Sequence, residues 1–291
     1  MKKIVLILLA LFLLVGCKET RPMEKFDPSY INVVDDSEAK TFDFDLHSRG
    51  YLLIRLNDFK VLYEKNNSEK IYPASLTKIF TLDTVLAKCD DLSETSYLTS
   101  AQLSSLIAQD ASLAGIKPNK EYTLEELLYA LVLPSGADAA VALENYFVSK
   151  GWNLLDDMNT RAKELGCLTS NFKNTTGLHD DDHYTSIDDL LLVSLDCLKY
   201  KEGREILESL HYLGTDDLFY HSTVNYVSGY NVEVLGGKTG FTTVAGQLIM
   251  VFYKKDNRSY LLILSNSDGD SYIELYYHYE DCLNIFRRLY D

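Results

Sequence analysis

Three short runs in this sequence carry residue types that could do chemistry together. The first, PASLTKIFT at positions 73 to 81, sets Ser75 and Lys78 three residues apart where a helix is expected to begin, so both side chains fall on one helix face. A serine hydroxyl is a poor nucleophile until a neighbour removes its proton, and a lysine desolvated near a second cation is neutral often enough to do so. Unpaired backbone N–H groups and the positive end of the helix dipole would lie beside Ser75, which suits an oxyanion forming there. The second run is GGKTGF at 236 to 241, within a strand-like segment that starts at Val232. Paired glycines let a backbone or ligand approach closely, while Lys238 and Thr239 would project a cation and a hydroxyl from the strand edge toward an anionic substrate terminus. The third, LPSGADAA at 133 to 140, puts Ser135 in a tight Pro-Ser-Gly turn between two helical segments. Each run alone has an ordinary alternative, a capping serine with a solvated lysine or a β-turn with a solvent lysine.

The elements that must position these residues follow from periodicity. Tyr51 to Leu56 and Lys60 to Tyr63, separated by Asn57 and Asp58, read as a β-hairpin. Ser75 to Lys88, Thr123 to Val132, Ala137 to Phe147, Leu154 to Leu165 and Ser186 to Tyr200 carry apolar residues at helical spacing. Strands return at Val232 to Phe241, Gly246 to Tyr253 and Tyr260 to Leu264, the last two joined by a Lys-Lys-Asp-Asn-Arg turn, and Ser271 to Tyr290 is expected to form a final helix. Strands at both ends around a block of helices fit an α/β fold with one antiparallel sheet flanked by helices and an inserted all-helical subdomain.

The first residues concern export rather than fold. Lys2 and Lys3 precede an apolar run from Ile4 to Val15 that closes on Gly16 and Cys17. That run is shorter than the roughly 20 residues a spanning helix needs, and it has the form of an export signal. Leu14 to Cys17 resembles a bacterial lipobox, so residues 1–16 are expected to be a lipoprotein signal peptide with Cys17 carrying a diacylglyceryl thioether. Residues 17–45, polar and acidic, read as a tether, and 46–291 as the catalytic domain. The expected location is the extracytoplasmic face of the cell membrane, held through the N-terminal lipid. A formal charge of -15 leaves no room for a nucleic-acid footprint. Cys89, Cys167, Cys197 and Cys282 could be buried thiols or disulfides. His179 and His183 flank an acidic run, GLHDDDHYT, without a third ligand at metal-site spacing, so neither a metal nor another cofactor is expected. The segment EKNNSEKIY ahead of Ser75 reads as a solvated turn.

The order SxxK, SGx, KTG is the shared signature of class A β-lactamases and penicillin-binding proteins. The separations, 60 residues from Ser75 to Ser135 and 103 from Ser135 to Lys238, suit that group. The segments ASLTKIFT, DASLAGIKPNKEYTLEELLYALVLPSGADAA, NTTGLHDDDHYTS and GGKTGFTTVAGQ narrow it. Over about residues 48 to 290 the chain resembles the serine-type D-alanyl-D-alanine carboxypeptidases, the low-molecular-mass penicillin-binding proteins of peptidase family S11, in a lipoprotein form. The resemblance implies a β-lactamase/transpeptidase-like fold with its site between sheet and helical subdomain. It implies hydrolysis of the terminal D-alanyl-D-alanine bond of peptidoglycan stem peptides through an acyl-enzyme, and β-lactams as covalent inhibitors. Carried onto this sequence, Ser75 is the nucleophile, Lys78 its general base and Ser135 a proton relay to the leaving nitrogen. Lys238 and Thr239 hold the terminal carboxylate, and Gly240 and Phe241 continue the binding strand, with the backbone N–H groups of Ser75 and Phe241 as the oxyanion hole.

One departure is Ala137, where the family usually has an asparagine that grips the substrate amide. Losing that hydrogen bond costs on the order of 1 to 3 kcal/mol unless a neighbour replaces it. Three other functions stay open: a serine β-lactamase, although no Glu-x-x-x-Asn element lies between Ser135 and Lys238; a penicillin-binding sensor with weak catalysis, which rests on Ala137 alone; and an endopeptidase acting on wall cross-links, which the sequence does not separate from a carboxypeptidase.

Overall fold

The computed structural model describes residues 34–267 and 276–290. The chain opens with a hairpin of β1 (Gly50–Arg55) and β2 (Lys60–Lys65). A 3-10 turn at Ala74–Leu76 then leads directly into α1 (Thr77–Lys88). The helical block continues through β3 (Thr95–Ser96), α2 (Ser100–Ala108), β4 (Tyr122–Thr123), α3 (Leu124–Val132), α4 (Ala137–Ser149), α5 (Leu154–Glu164), α6 (Ile187–Cys197) and α7 (Lys201–Leu207). After a small hairpin of β5 (His211–Leu213) and β6 (Phe219–His221), the chain returns to the sheet as β7 (Glu233–Thr242), β8 (Gly246–Lys255) and β9 (Arg258–Ser267), and α8 (Tyr277–Tyr290) follows.

The five long strands form one antiparallel sheet in the order β2-β1-β9-β8-β7, so the N-terminal hairpin and the C-terminal meander meet at β1 and β9, and β7 is left at an edge. Alternation along the strands supplies two cores. Leu52 and Ile54 of β1, with Met250, Phe252 and Ile263, face the helical block and pack with α1 and α6. Tyr51 and Leu53, with Ile249, Val251 and Leu262, face the other way and are covered by Cys282, Ile285 and Phe286 of α8. Helix starts are set by capping side chains: Thr99, Thr123, Asn153 and Ser186 each accept the N–H three residues on, and Thr99 forms a full capping box with Gln102. The β8–β9 connection is a two-residue turn in which Asp256 and Asn257 both have positive φ, the backbone a tight antiparallel hairpin prefers.

The sheet-plus-helical-insertion architecture expected from the sequence is what the chain forms, and the differences are local. Residues 34–45, expected to belong to a tether, lie along the outer edge of β2. Asp35 and Lys40 bridge to Lys60 and Tyr63, and Phe42 is buried, stacked on Tyr63 with ring centroids 4.3 Å apart. An aromatic residue and an unpaired strand edge suffice to dock this segment, and neither produces a periodic signal. The final helix starts at Tyr277; residues 271–275 of the expected span, like the signal peptide, Cys17 and the tether up to residue 33, lie outside the described residues. Helices α2 and α7 were not expected. Cys89, Cys167, Cys197 and Cys282 are all buried free thiols, which resolves the choice left open above.

Candidate active site

Ser75 sits in the 3-10 turn that introduces α1, and Lys78 is in the first turn of that helix. The residue before the serine, Ala74, has φ of +46°, a left-handed conformation that costs a side-chain-bearing residue about 1 to 3 kcal/mol. Gly177 of the NTTGLH loop presses against this turn: a Cβ on Gly177 would lie 2.0 Å from the Ala74 carbonyl oxygen, so only glycine allows the approach. The loop supplies more than packing. The Lys78 Nζ donates to the Thr176 carbonyl at 2.5 Å and reaches the Ser75 Oγ at 3.1 Å. Burial drives the Lys78 amine down to about 7, against the charge of Asp138, which favours the ammonium. A buried amine that is neutral near physiological pH, at hydrogen-bond distance from a serine hydroxyl, is a competent general base.

Strand β7 closes the site from the sheet side. Its alternation puts Lys238 and Gly240 on the face toward the Ser75 turn, and a Cβ on Gly240 would meet the Ser75 nitrogen at 3.2 Å. The glycine therefore brings the β7 backbone against Ser75. Lys238 is completely buried beneath the strand, donates to the Thr239 carbonyl at 2.7 Å, and is held well below the ordinary lysine range by burial and by the like charge of Lys78. This corrects the expectation that Lys238 projects from the strand edge: alternation turns it inward, and Thr239 alone faces the cleft.

Ser75, Ser135, Thr239, Gly240 and Phe241 line a single cavity of about 220 Å³. Ser135 has φ of +68°, and its buried Oγ has no hydrogen-bond partner among the described residues, so its proton is free to be exchanged with a ligand atom. Beneath it, Asp138 faces away from the cavity, as helix geometry implies; its carboxylate accepts the N–H groups of Ala114, Gly115 and Ile116 and fixes the loop that carries Ser112 to the cavity wall. Ala137 donates its N–H to the Ser112 carbonyl at 2.8 Å, and its methyl is 2% exposed, packed in the core and absent from the cavity lining.

The far wall was not legible in the sequence. Thr223 accepts the Thr239 N–H at 3.1 Å and is in turn held through its carbonyl by the Tyr279 hydroxyl at 2.5 Å. His278 of α8 bonds Gln247 through Nδ1 at 2.6 Å, and burial lowers it to about 4, so it is neutral at physiological pH. These residues come from β8, α8 and the segment before β7, and no local motif ties them together. His179 and His183 do separate jobs. His183 is buried with Nε2 2.7 Å from the Thr77 hydroxyl, while His179 pairs with Asp181 and packs edge-on to Tyr72. Among the described residues no group of three His, Cys, Asp or Glu is arranged to hold a metal.

A serine, two buried lysines and a glycine-tight edge strand in this order are matched by the family model for the S11 peptidases, described as D-alanyl-D-alanine carboxypeptidase, over residues 35–268. The chain belongs to peptidase family S11. Its S11 relatives include the D-alanyl-D-alanine carboxypeptidase DacF of Bacillus subtilis, 30% identical over 225 residues, which are 75% of this chain and 57% of that protein. The DacA carboxypeptidase of Escherichia coli K12 is 27% identical over 215 residues, 69% of this chain and 51% of its own length. The chain thus spans little more than half the length of these S11 relatives. The crystal structure of the Streptomyces K15 DD-transpeptidase superposes with a TM-score of 0.74 at 21% identity, covering 86% of this chain and 98% of that one, which fixes the fold as the β-lactamase/transpeptidase type. The S11 match begins at residue 35, so it includes the segment docked on β2.

Proposed function

We propose that the chain is a serine D-alanyl-D-alanine carboxypeptidase acting on peptidoglycan stem peptides, with Ser75 as nucleophile. The observation that carries this reading is the buried Lys78 amine 3.1 Å from the hydroxyl of Ser75, which shares one cavity with Thr239, Gly240 and Phe241 of β7. In the proposed sequence, Lys78 takes the hydroxyl proton as Oγ attacks the carbonyl of the penultimate residue. The backbone N–H groups of Ser75 and Phe241 stabilise the oxyanion, and the terminal carboxylate lies against Thr239, with the buried Lys238 behind it. The proton passes through Ser135 to the departing amine nitrogen as the peptide bond breaks, leaving D-alanine and a Ser75 ester, and water then cleaves the ester and restores the hydroxyl.

A β-lactam presents the same carboxylate and carbonyl and is expected to acylate Ser75. No carboxylate lines the cavity among the described residues, which supports slow release of the penicilloyl group and disfavours the β-lactamase alternative. The test is D-alanine release from a stem pentapeptide together with labelling by a fluorescent penicillin. Ser75→Ala should abolish both, and undiminished label in that variant would remove Ser75 as nucleophile. Labelling without D-alanine release would favour the sensor reading. We also propose that Cys17 is lipidated and holds the enzyme on the outer face of the membrane. The lipobox supports this, and mass spectrometry of the mature N-terminus tests it: an unmodified terminus elsewhere than Cys17 would sink it.

A further inference from the structure

The proposed roles fix the direction in which a substrate lies. With its terminal carboxylate at Thr239 and its reacting carbonyl at the Phe241 N–H, an extended peptide runs antiparallel to β7 along the open sheet edge, one residue per roughly 3.3 Å. Its earlier residues must then pass Thr242 and reach the turn at Thr243 and Val244. A second cavity, about 270 Å³, opens at that end of the strand. Its walls include Lys70, Tyr72, Val244, Asn266 and Arg49, and Tyr72 is only three residues ahead of the nucleophile, so the two cavities share the Tyr72–Ser75 segment.

Charge and chemistry single this cavity out. The chain has 43 acidic residues against 28 lysines and arginines, yet the described walls of the cavity carry Lys70 and no carboxylate. Lys70 has no ion-pair partner among the described residues; its Nζ lies 3.8 Å from the centroid of the Tyr184 ring and 6.0 Å from that of Tyr72. Two aromatic faces orient the ammonium without neutralising it. The carboxylate of Asp181, 94% exposed, is already paired with His179, which packs against Tyr72.

We propose that this cavity is a subsite for an acidic side group carried about two residues before the penultimate residue of the substrate, with Lys70 as its counter-charge. This deepens the carboxypeptidase reading and rests on it. The segment EKNNSEKIY, a solvated turn by its composition, is then part of substrate selection.

The test uses the full chain and two synthetic peptides ending in D-alanyl-D-alanine that differ only by Glu or Gln two residues before the penultimate one, with D-alanine release as the readout. The wild-type enzyme is expected to favour the Glu peptide by about threefold in kcat/KM, the scale of one partly exposed charge pair, with the preference shrinking in high salt. Lys70→Glu should erase or invert the preference while penicillin labelling of Ser75 stays unchanged, which also checks that the variant is folded. An equal Glu/Gln ratio in both proteins overturns the subsite and leaves the hydrolase standing. Release from neither peptide by the wild-type enzyme overturns the hydrolase reading and the subsite with it.

Discussion

If Lys78 is the base, the acylation of Ser75 must follow the protonation of one buried amine. Burial moves that amine from the ordinary lysine value of 10.5 to about 7. The shift corresponds to about 5 kcal/mol of preference for the neutral form, and the group is fully enclosed, so solvent screening does not erode it. At pH 7 about half of the Lys78 side chains are then free base, against roughly 3 in 10,000 for an ordinary lysine, a gain on the order of a thousandfold in competent enzyme. The sign is fixed: protonated Lys78 cannot accept the serine proton, so activity is lost as pH falls through about 7. The second-order rate constant for acylation by a fluorescent penicillin, measured from pH 5 to 9, should fall about tenfold per pH unit well below 7 and level off above it. A rate constant that does not change between pH 5.5 and 8.5, or that rises only above pH 9, would refute Lys78 as a desolvated base.

Two further outcomes follow from packing. Ala137→Asn puts an amide where a methyl lies in the core outside the cavity wall, so the expected result is no gain in kcat/KM and a lower Tm, from about 1 to 3 kcal/mol of imperfectly paired polar burial. A fivefold to tenfold gain would mean that the new amide reaches substrate. Arg161 bridges Asp83 of α1, at 3.0 Å, and Asp196 of α6, both carboxylates being essentially inaccessible. Arg161→Met takes the ion-pair partner from buried Asp83 and leaves Asp196 with Lys199 alone, at 2.6 Å, and should cost about 3 to 5 kcal/mol, read as a drop in Tm on the order of 10 °C. That loss should shrink at lower pH, because burial and then Asp196 raise the Asp83 carboxyl and let it take a proton early.

What could be read in advance was whatever local chemistry encodes. The Ser75–Lys78 spacing, the Pro-Ser-Gly turn and the double glycine of β7 each announce a backbone event, and each is where the sequence places it. Hidden were groups whose role depends on neighbours far along the chain. The Thr176 carbonyl that accepts from Lys78 is a backbone atom and has no side-chain signature, and it is positioned because Gly177 alone can press against Ala74. The Gln247–His278 and Thr223–Tyr279 pairs depend on the register of α8 against the sheet, which periodicity does not specify. Lys238 looks like an outward cation in the sequence, and only the edge position of β7 against the Ser75 turn decides that it points in.

That inward lysine makes the two amines compete for protons, and their surroundings are unequal. Lys78 has the charge of Asp138 to support its ammonium, whereas Lys238 has only the like charge of Lys78. The surroundings therefore favour an ammonium on Lys78 over one on Lys238. A ligand carboxylate seated against Thr239 brings an opposite charge toward the buried Lys238 and favours a proton there. In Ser75→Ala, which binds without acylating, calorimetry of a carboxylate ligand in two buffers of different ionisation heat should find proton uptake above pH 7, where Lys78 is already mostly free base. Uptake of zero across that range would mean that the carboxylate does not meet a titrating Lys238.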